Sequence, residues 1–366
     1  MLNVVILVVC VVGIYLSCEW FVNAVEWLGR RLQIGKMAVG TILAAIGTAL
    51  PESVVTLVAV TTGRTAEAKD IGVGAALGGP LVLSTLAYGI TGIAILVVRH
   101  RRAVSPETAG DPAGGTGGTR ESGGTGVPGG TTEPRATGRR PVGTPAQLRH
   151  LAKDQAWFLP IFAVKVGLGL VAFAVKPWLG LLFFAAYAAY FWREIRTKDD
   201  EEGEELEPLK LQPKAENPSI WLVVLQTLAT LALIFLASHF FVQQLEAIGP
   251  MIGLSASVTA LLLSPVATEL PETMNALIWV RQGKTELALA NISGSMMIQA
   301  TVPSGLGILF TTWHLDAPLL WSGGITAAAI VYLLVTMARH KLTAGHLAVT
   351  AGLYAVFAAG LIWWLA

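Results

Sequence analysis

The sequence predicts an all-α membrane protein of ten transmembrane helices, arranged as two inverted five-helix repeats with helices 2 and 7 broken, and three observations predict it. First, the 366 residues are 54% hydrophobic and only 13% charged, with a mean hydropathy of +0.62, whereas a soluble domain is about 45–50% apolar and about 25% charged. Second, ten apolar runs approach the ~20 residues that a helix needs to cross a bilayer core. They fall at 3–28, 37–62, 71–98, 156–175, 177–194, 219–247, 254–280, 286–312, 317–337 and 343–365. Third, the string IGTALPES at 46–53 returns as VATELPET at 266–273.

Taken in order, residues 1–22 lack a basic leader region and an A-x-A cleavage site, and they run on into CEWFVNAVEWLG, so they read as a retained first helix. Cys10 and Cys18, eight apart on it, stand more than two turns from each other and cannot bridge. Helices 1–3 occupy 1–98. Residues 99–153 are rich in Gly, Thr and Pro and nearly free of large apolar side chains, the composition of a disordered linker. Helices 4 and 5 occupy 154–195, and an acidic, solvated connector fills 196–217. Helices 6–10 occupy 218–366. Twenty-one of the 25 Lys and Arg residues fall in the loops after helices 1, 3, 5, 7 and 9. The positive-inside rule then puts both termini outside and the long linker in the cytoplasm, with the chain in the plasma or inner membrane.

The repeat extends beyond one string. Phe241, Val242, Glu246, Gly249, Thr268, Leu270, Pro271, Glu272, Gly283 and Thr285 each lie 220 positions after Phe21, Val22, Glu26, Gly29, Thr48, Leu50, Pro51, Glu52, Gly63 and Thr65. Beyond that the offset is 216, pairing 70–79 with 286–295. Five helices per repeat is an odd number, so the second copy sits inverted, the layout of secondary transporters with a midplane site.

Proline has no N–H to give the carbonyl four residues back, so Pro51 releases that of Gly47 and Pro271 that of Ala267. Hard cations such as Ca²⁺ take about six to eight oxygens from carboxylates, carbonyls, amides and water. Glu52 and Glu272 follow the prolines directly, with Thr48, Thr268, Ser53 and Thr273 as hydroxyl neighbours. Two ionised carboxylates at the midplane need a partner, and a shared cation is one. The alternative for either glutamate alone is a cap on the helix that restarts after its proline. On helix 8, Asn291, Ser295 and Gln299 recur every four residues and line one face, expected to look toward Glu272. The small residues Gly72, Gly74, Gly78, Gly79 and Gly294 suit close helix packing. Glu26 and Glu246 read as interfacial or helix-fixing. Glu269 matches Ala49 in the other repeat and reads as gating or solvent-facing, with the site as a secondary role. His239 and Asn275 read as structural hydrogen-bonders, and Lys165 as a cation able to neutralise a carboxylate that the sequence does not identify.

GTALPES and ATELPET, five helices apart and followed by Gly-rich helices with a GS pair, resemble the repeats of the calcium/cation antiporter superfamily, the sodium/calcium exchanger-like membrane proteins. The resemblance spans both halves. It implies a ten-helix fold in which helices 2, 3, 7 and 8 surround the ions, with Glu52 and Glu272 as the principal ion-binding glutamates and Thr48 and Thr268 as added oxygens. The chain departs from that pattern at Ala75 and Leu83, where polar residues are usual, and at Gln299, where an acid often sits.

The implied function is secondary active antiport of Ca²⁺ or a similar divalent cation against Na⁺ or H⁺ by alternating access. Two site charges balance one Ca²⁺, two Na⁺ or two H⁺, which makes the simplest exchange electroneutral. Two close carboxylates titrating as a pair also suit proton coupling. The alternatives are a sodium/proton exchanger without calcium transport, and a cation channel, which a single belt of polar groups serves poorly. No cofactor is expected beyond the transported ions, no enzyme motif is present, and the expected partners are the lipid bilayer and inorganic cations, not nucleic acid.

Overall fold

The computed structural model describes residues 2–62, 66–104, 140–196, 206–251, 262 and 264–365. Their regular structure is helical, with one isolated bridge between Pro141 and Thr343. In chain order the helices are α1 (Leu2–Leu32), α2 (Lys36–Ala38), α3 (Ala45–Thr62), α4 (Ala66–Val82), α5 (Tyr88–Val104), α6 (Pro145–Leu168), α7 (Gly180–Arg196), α8 (Ile220–Met251), α9 (Ser264–Thr268), α10 (Leu270–Gln282), α11 (Thr285–Phe310), α12 (Ala317–Ala338) and α13 (Ala344–Leu365). Wide π-helical turns join α2 to α3 at Val39–Ala44 and α4 to α5 at Leu83–Ala87.

Each of the ten apolar runs contains helix. Among the described residues, five helical stretches are long and apolar enough to cross a membrane: Val5–Leu32, Val73–Arg102, Ile220–Phe241, Ala317–Ala338 and Ala344–Trp363. Their outward surface is apolar, with Val5, Val9, Val12, Leu225, Leu228, Leu233 and Val349 exposed. Only lipid makes such a surface favourable, and only helices keep every backbone group satisfied within it.

The axis of the molecule is α11, buried along almost its whole length. It packs against α3, α4, α6, α7, α10 and the π turn before α3. Two glycines make the closest crossing possible. A Cβ on Gly294 would strike the main chain of Thr41, and one on Gly40 would lie 2.8 Å from the Ala290 Cβ. Around this axis α1 pairs with α8, α5 with α13 and α6 with α12. The close of α10 needs a glycine, because Gly283 sits at φ 85°.

Two boundaries differ from the sequence expectation. Residues 145–153, expected in the linker, form the first turns of α6. There Thr144 accepts from the Gln147 backbone while the Gln147 side chain accepts from the Thr144 N–H, a reciprocal cap that starts a helix on polar sequence. Residues 99–104 likewise complete α5, and 105–139 lie outside the described residues. The described part of the second connector, 206–217, is mostly exposed and is pinned to α1 at a few points. Asn23 donates to the Glu207 and Pro208 carbonyls, Trp27 Nε1 donates to that of Glu207 at 2.8 Å, and Leu209 is buried against Trp27 and Val223.

Candidate functional site

The two proline-glutamate strings fold differently. In the second, α9 ends at Thr268, Glu269 forms a turn and α10 starts at Leu270, so helix 7 is interrupted where Pro271 withholds an N–H from Ala267. In the first, α3 runs unbroken through Pro51, and the irregularity lies a turn earlier in the π stretch Val39–Ala44. The expected break of helix 2 at Pro51 is therefore absent. One missing hydrogen bond inside a packed membrane helix is made good locally and need not end it.

Glu272 occupies the first turn of α10 and is 1% exposed. Asn291 Nδ2 on α11 donates to the Glu272 main-chain carbonyl at 3.3 Å, so the polar face of α11 does reach this corner. Further along that face, Gln299 Nε2 donates to Glu269 Oε1 at 2.6 Å, and Glu269 is also only 1% exposed. Asn291 Oδ1, Ser295 Oγ and Gln299 Oε1 are buried without a hydrogen-bond partner. Three such oxygens in register along one helix are costly in a dry interior unless a ligand meets them. Asn275 on α10 is buried with both side-chain polar atoms in the same condition.

The hydroxyls are turned onto their own helices. Thr48 Oγ1 donates to Ala44, Ser53 Oγ to Ala49, Thr268 Oγ1 to Pro265 and Thr273 Oγ1 to Glu269, each at 3.1 Å to the carbonyl. Each still has lone pairs to offer a cation. Ala267 is buried at the interruption. Gly47 packs against the Phe21 ring, leaving no room for a side chain. Glu52 lies within α3, and its side chain is outside the described residues.

The glycines of α4 split into two groups. A Cβ on Gly79 would overlap Gln299 Oε1 and come within 2.9 Å of Glu269 Oε1, and one on Gly78 would come within 2.6 Å of Pro265. A Cβ on Gly74, expected to serve close packing, would meet no atom of another element within 4 Å among the described residues. Among the described residues Lys165 meets no carboxylate: its Nζ donates to the Ala76 carbonyl at 2.8 Å and to Ser304 Oγ at 3.2 Å. The free thiol of Cys18 donates to the Pro271 carbonyl at 3.8 Å.

Sequence reading missed a charged cluster between α6 and α7. Asp154 and Glu194 are fully buried, and Arg193 Nη2 lies 2.5 Å from an oxygen of each. His150 Nε2 sits 2.8 Å from Glu194 Oε2 and 4.0 Å from Asp154 Oδ2. The cluster reaches the core through Thr41, which donates to Glu194, and Ser293, which donates to Asp154. His150, Asp154 and Glu194 are close enough to share a metal ion, but the guanidinium already bridges the two carboxylates. Outside this cluster, Glu26 fixes helices as expected, accepting from Trp279 Nε1 at 2.8 Å and Lys284 Nζ at 2.6 Å. The Glu246 side chain is outside the described residues.

Comparison with known proteins agrees in both halves. The family model described as sodium/calcium exchanger protein matches residues 2–109 and 222–363. The protein named putative antiporter CaxA, of Alkalimonas amylolytica, is 22% identical over 342 residues, covering 89% of this chain and 87% of its own. The sodium-calcium exchanger NCX_Mj, solved after soaking in 10 mM Na⁺ without Ca²⁺, superimposes with a TM-score of 0.69 at 19% identity, over 98% of this chain and 99% of that one. A second form, soaked in 2.5 mM Na⁺ and 0.1 mM Ca²⁺, gives 0.69 at 18% identity over 99% of each chain.

Proposed function

The chain belongs to the sodium/calcium exchanger protein family, and from that membership we propose that it exchanges Ca²⁺ or a similar divalent cation for Na⁺ or H⁺ by alternating access at a site centred on Glu52 and Glu272. The observation that carries this reading is the buried face of α11, where Asn291, Ser295 and Gln299 hold unpartnered oxygens beside the interrupted helix that bears Glu272. Around the two glutamates we place the Thr48 and Thr268 hydroxyls and the carbonyls of Gly47 and Ala267 that the prolines release, with Ser53 and Thr273 as secondary ligands. Glu269, held by Gln299, brings a further carboxylate to the same corner.

The proposed topology is ten spans in two inverted repeats, with both termini outside and the long linker in the cytoplasm. Transport follows from charge: an empty site of buried carboxylates resists crossing, and a loaded one crosses, which couples the two fluxes. The oxygens missing at Ala75 on α4 and at Leu83 in the π turn after it favour H⁺ over a full set of Na⁺ ions as the coupling species.

The test is Ca²⁺ uptake into proteoliposomes driven in turn by outward Na⁺ and outward H⁺ gradients. One gradient is expected to drive uptake, without net current, and Glu52→Gln and Glu272→Gln each to abolish it. Uptake by neither gradient removes calcium and leaves sodium/proton exchange. Gradient-driven uptake that survives both substitutions removes the site.

A further inference from the structure

Lys165 occupies the kind of place a small cation would take. Its ammonium is 0% exposed, donates to the Ala76 carbonyl on α4 and to Ser304 Oγ on α11, and lies 4.8 Å from the centroid of the Phe162 ring. The carbonyl traces to a proline, and a second proline frees the carbonyl that holds the hydroxyl. Pro80 inside α4 has no N–H for the carbonyl four residues back, which is that of Ala76. Pro303 inside α11 likewise releases the Gln299 carbonyl, which accepts from Ser304 Oγ at 3.3 Å. An ammonium set against a released carbonyl, a hydroxyl and an aromatic face has oxygen and ring partners of the kind a bound monovalent cation uses.

The contacts continue toward the site. Lys165 bonds Ser304, Ser304 bonds the Gln299 backbone, and the Gln299 amide bonds Glu269. Glu269 is the carboxylate without a counterpart in the first half, where Ala49 stands.

We propose that Lys165 is a tethered cation of the buried core, standing where a free monovalent cation would otherwise bind.

The experiment measures thermal unfolding of the full chain in detergent, in choline chloride and then with methylammonium, ammonium or Na⁺ replacing choline at constant ionic strength. Lys165→Ala opens the cage, and its unfolding midpoint is expected to rise saturably with methylammonium or another of the small cations while that of the unsubstituted protein stays put. A folded Lys165→Ala protein indifferent to all three cations overturns the proposal. Should Lys165→Ala give no folded protein, Lys165→Ser is tested in its place, and a folded Lys165→Ser protein indifferent to all three cations overturns the proposal, as does failure of both variants to fold in any of the three cations, since a free cation in the cage is expected to restore the fold. These readouts need no transport. Their failure leaves the exchanger reading standing, and absent gradient-driven uptake by the unsubstituted protein would sink that reading alone.

Discussion

Helices α4 and α11 stand on the two sides of the polar corner and contribute opposite things to it. α11 brings side chains: Asn291, Ser295, Gln299 and Ser304 all point into buried surroundings. α4 brings room and backbone, with Gly79 making way for Gln299 and Ala76 offering its carbonyl to Lys165. A polar corner between two helices thus takes its side chains from only one of them, provided the other is bare enough to approach. The glycines measure the asymmetry. Gly294 of α11 meets main chain, Gly79 of α4 meets the ends of side chains, and Gly74 meets no other element among the described residues.

Substitutions at these three positions break or sharpen that contrast. The largest effect belongs to Gly294→Ala, because the Thr41 backbone cannot step aside. Its expected cost is about 3 kcal/mol, the upper end for overpacking, read as an earlier thermal transition in detergent. A Gly294→Ala protein as stable as the original would mean the crossing is looser than described. Gly79→Ala comes next. Gln299 and Glu269 are long enough to swing away, so the fold should hold while gradient-driven ion uptake falls roughly tenfold, equivalent to about 1.4 kcal/mol. Shortening the displaced partner in Gly79→Ala/Gln299→Ser should recover part of the loss, and no recovery would detach Gly79 from the site. Gly74→Ala is expected to change stability by less than about 0.5 kcal/mol, as for an unencumbered position, and to leave uptake alone. A larger drop in either would reveal a neighbour that the packing does not show.

The helices were legible in the sequence because a bilayer demands length and apolarity together, and both are visible along a single line of residues. The interruption at 268–271 was legible for the same kind of reason, since Pro271 acts on its own backbone. Pro51 carried an identical signal and the helix runs on through it, so a proline shows where a hydrogen bond is lost but not whether the neighbours replace it. The polar face of α11 was readable from a spacing of four. What it touches was not, because Gln299 meets Glu269 across 30 positions of chain. The start of α6 was missed although Thr144, Pro145 and Gln147 spell a helix cap, because hydropathy hid it. Asp154 and Glu194 sat at the edges of apolar runs, where charges are ordinarily solvated, and only the pairing of α6 with α7 buries them against Arg193.

The fit of Gly79 against Gln299 also bears on how this corner can change over generations. A side chain at 79 and a long amide at 299 exclude each other, and Glu269 limits where that amide can go. The three positions can therefore drift only in concert: a lineage that gains bulk at 79 must first shorten 299, and one that shortens 299 frees 269 from its constraint. In relatives of this chain, the residue found at any one of these positions should forecast the other two.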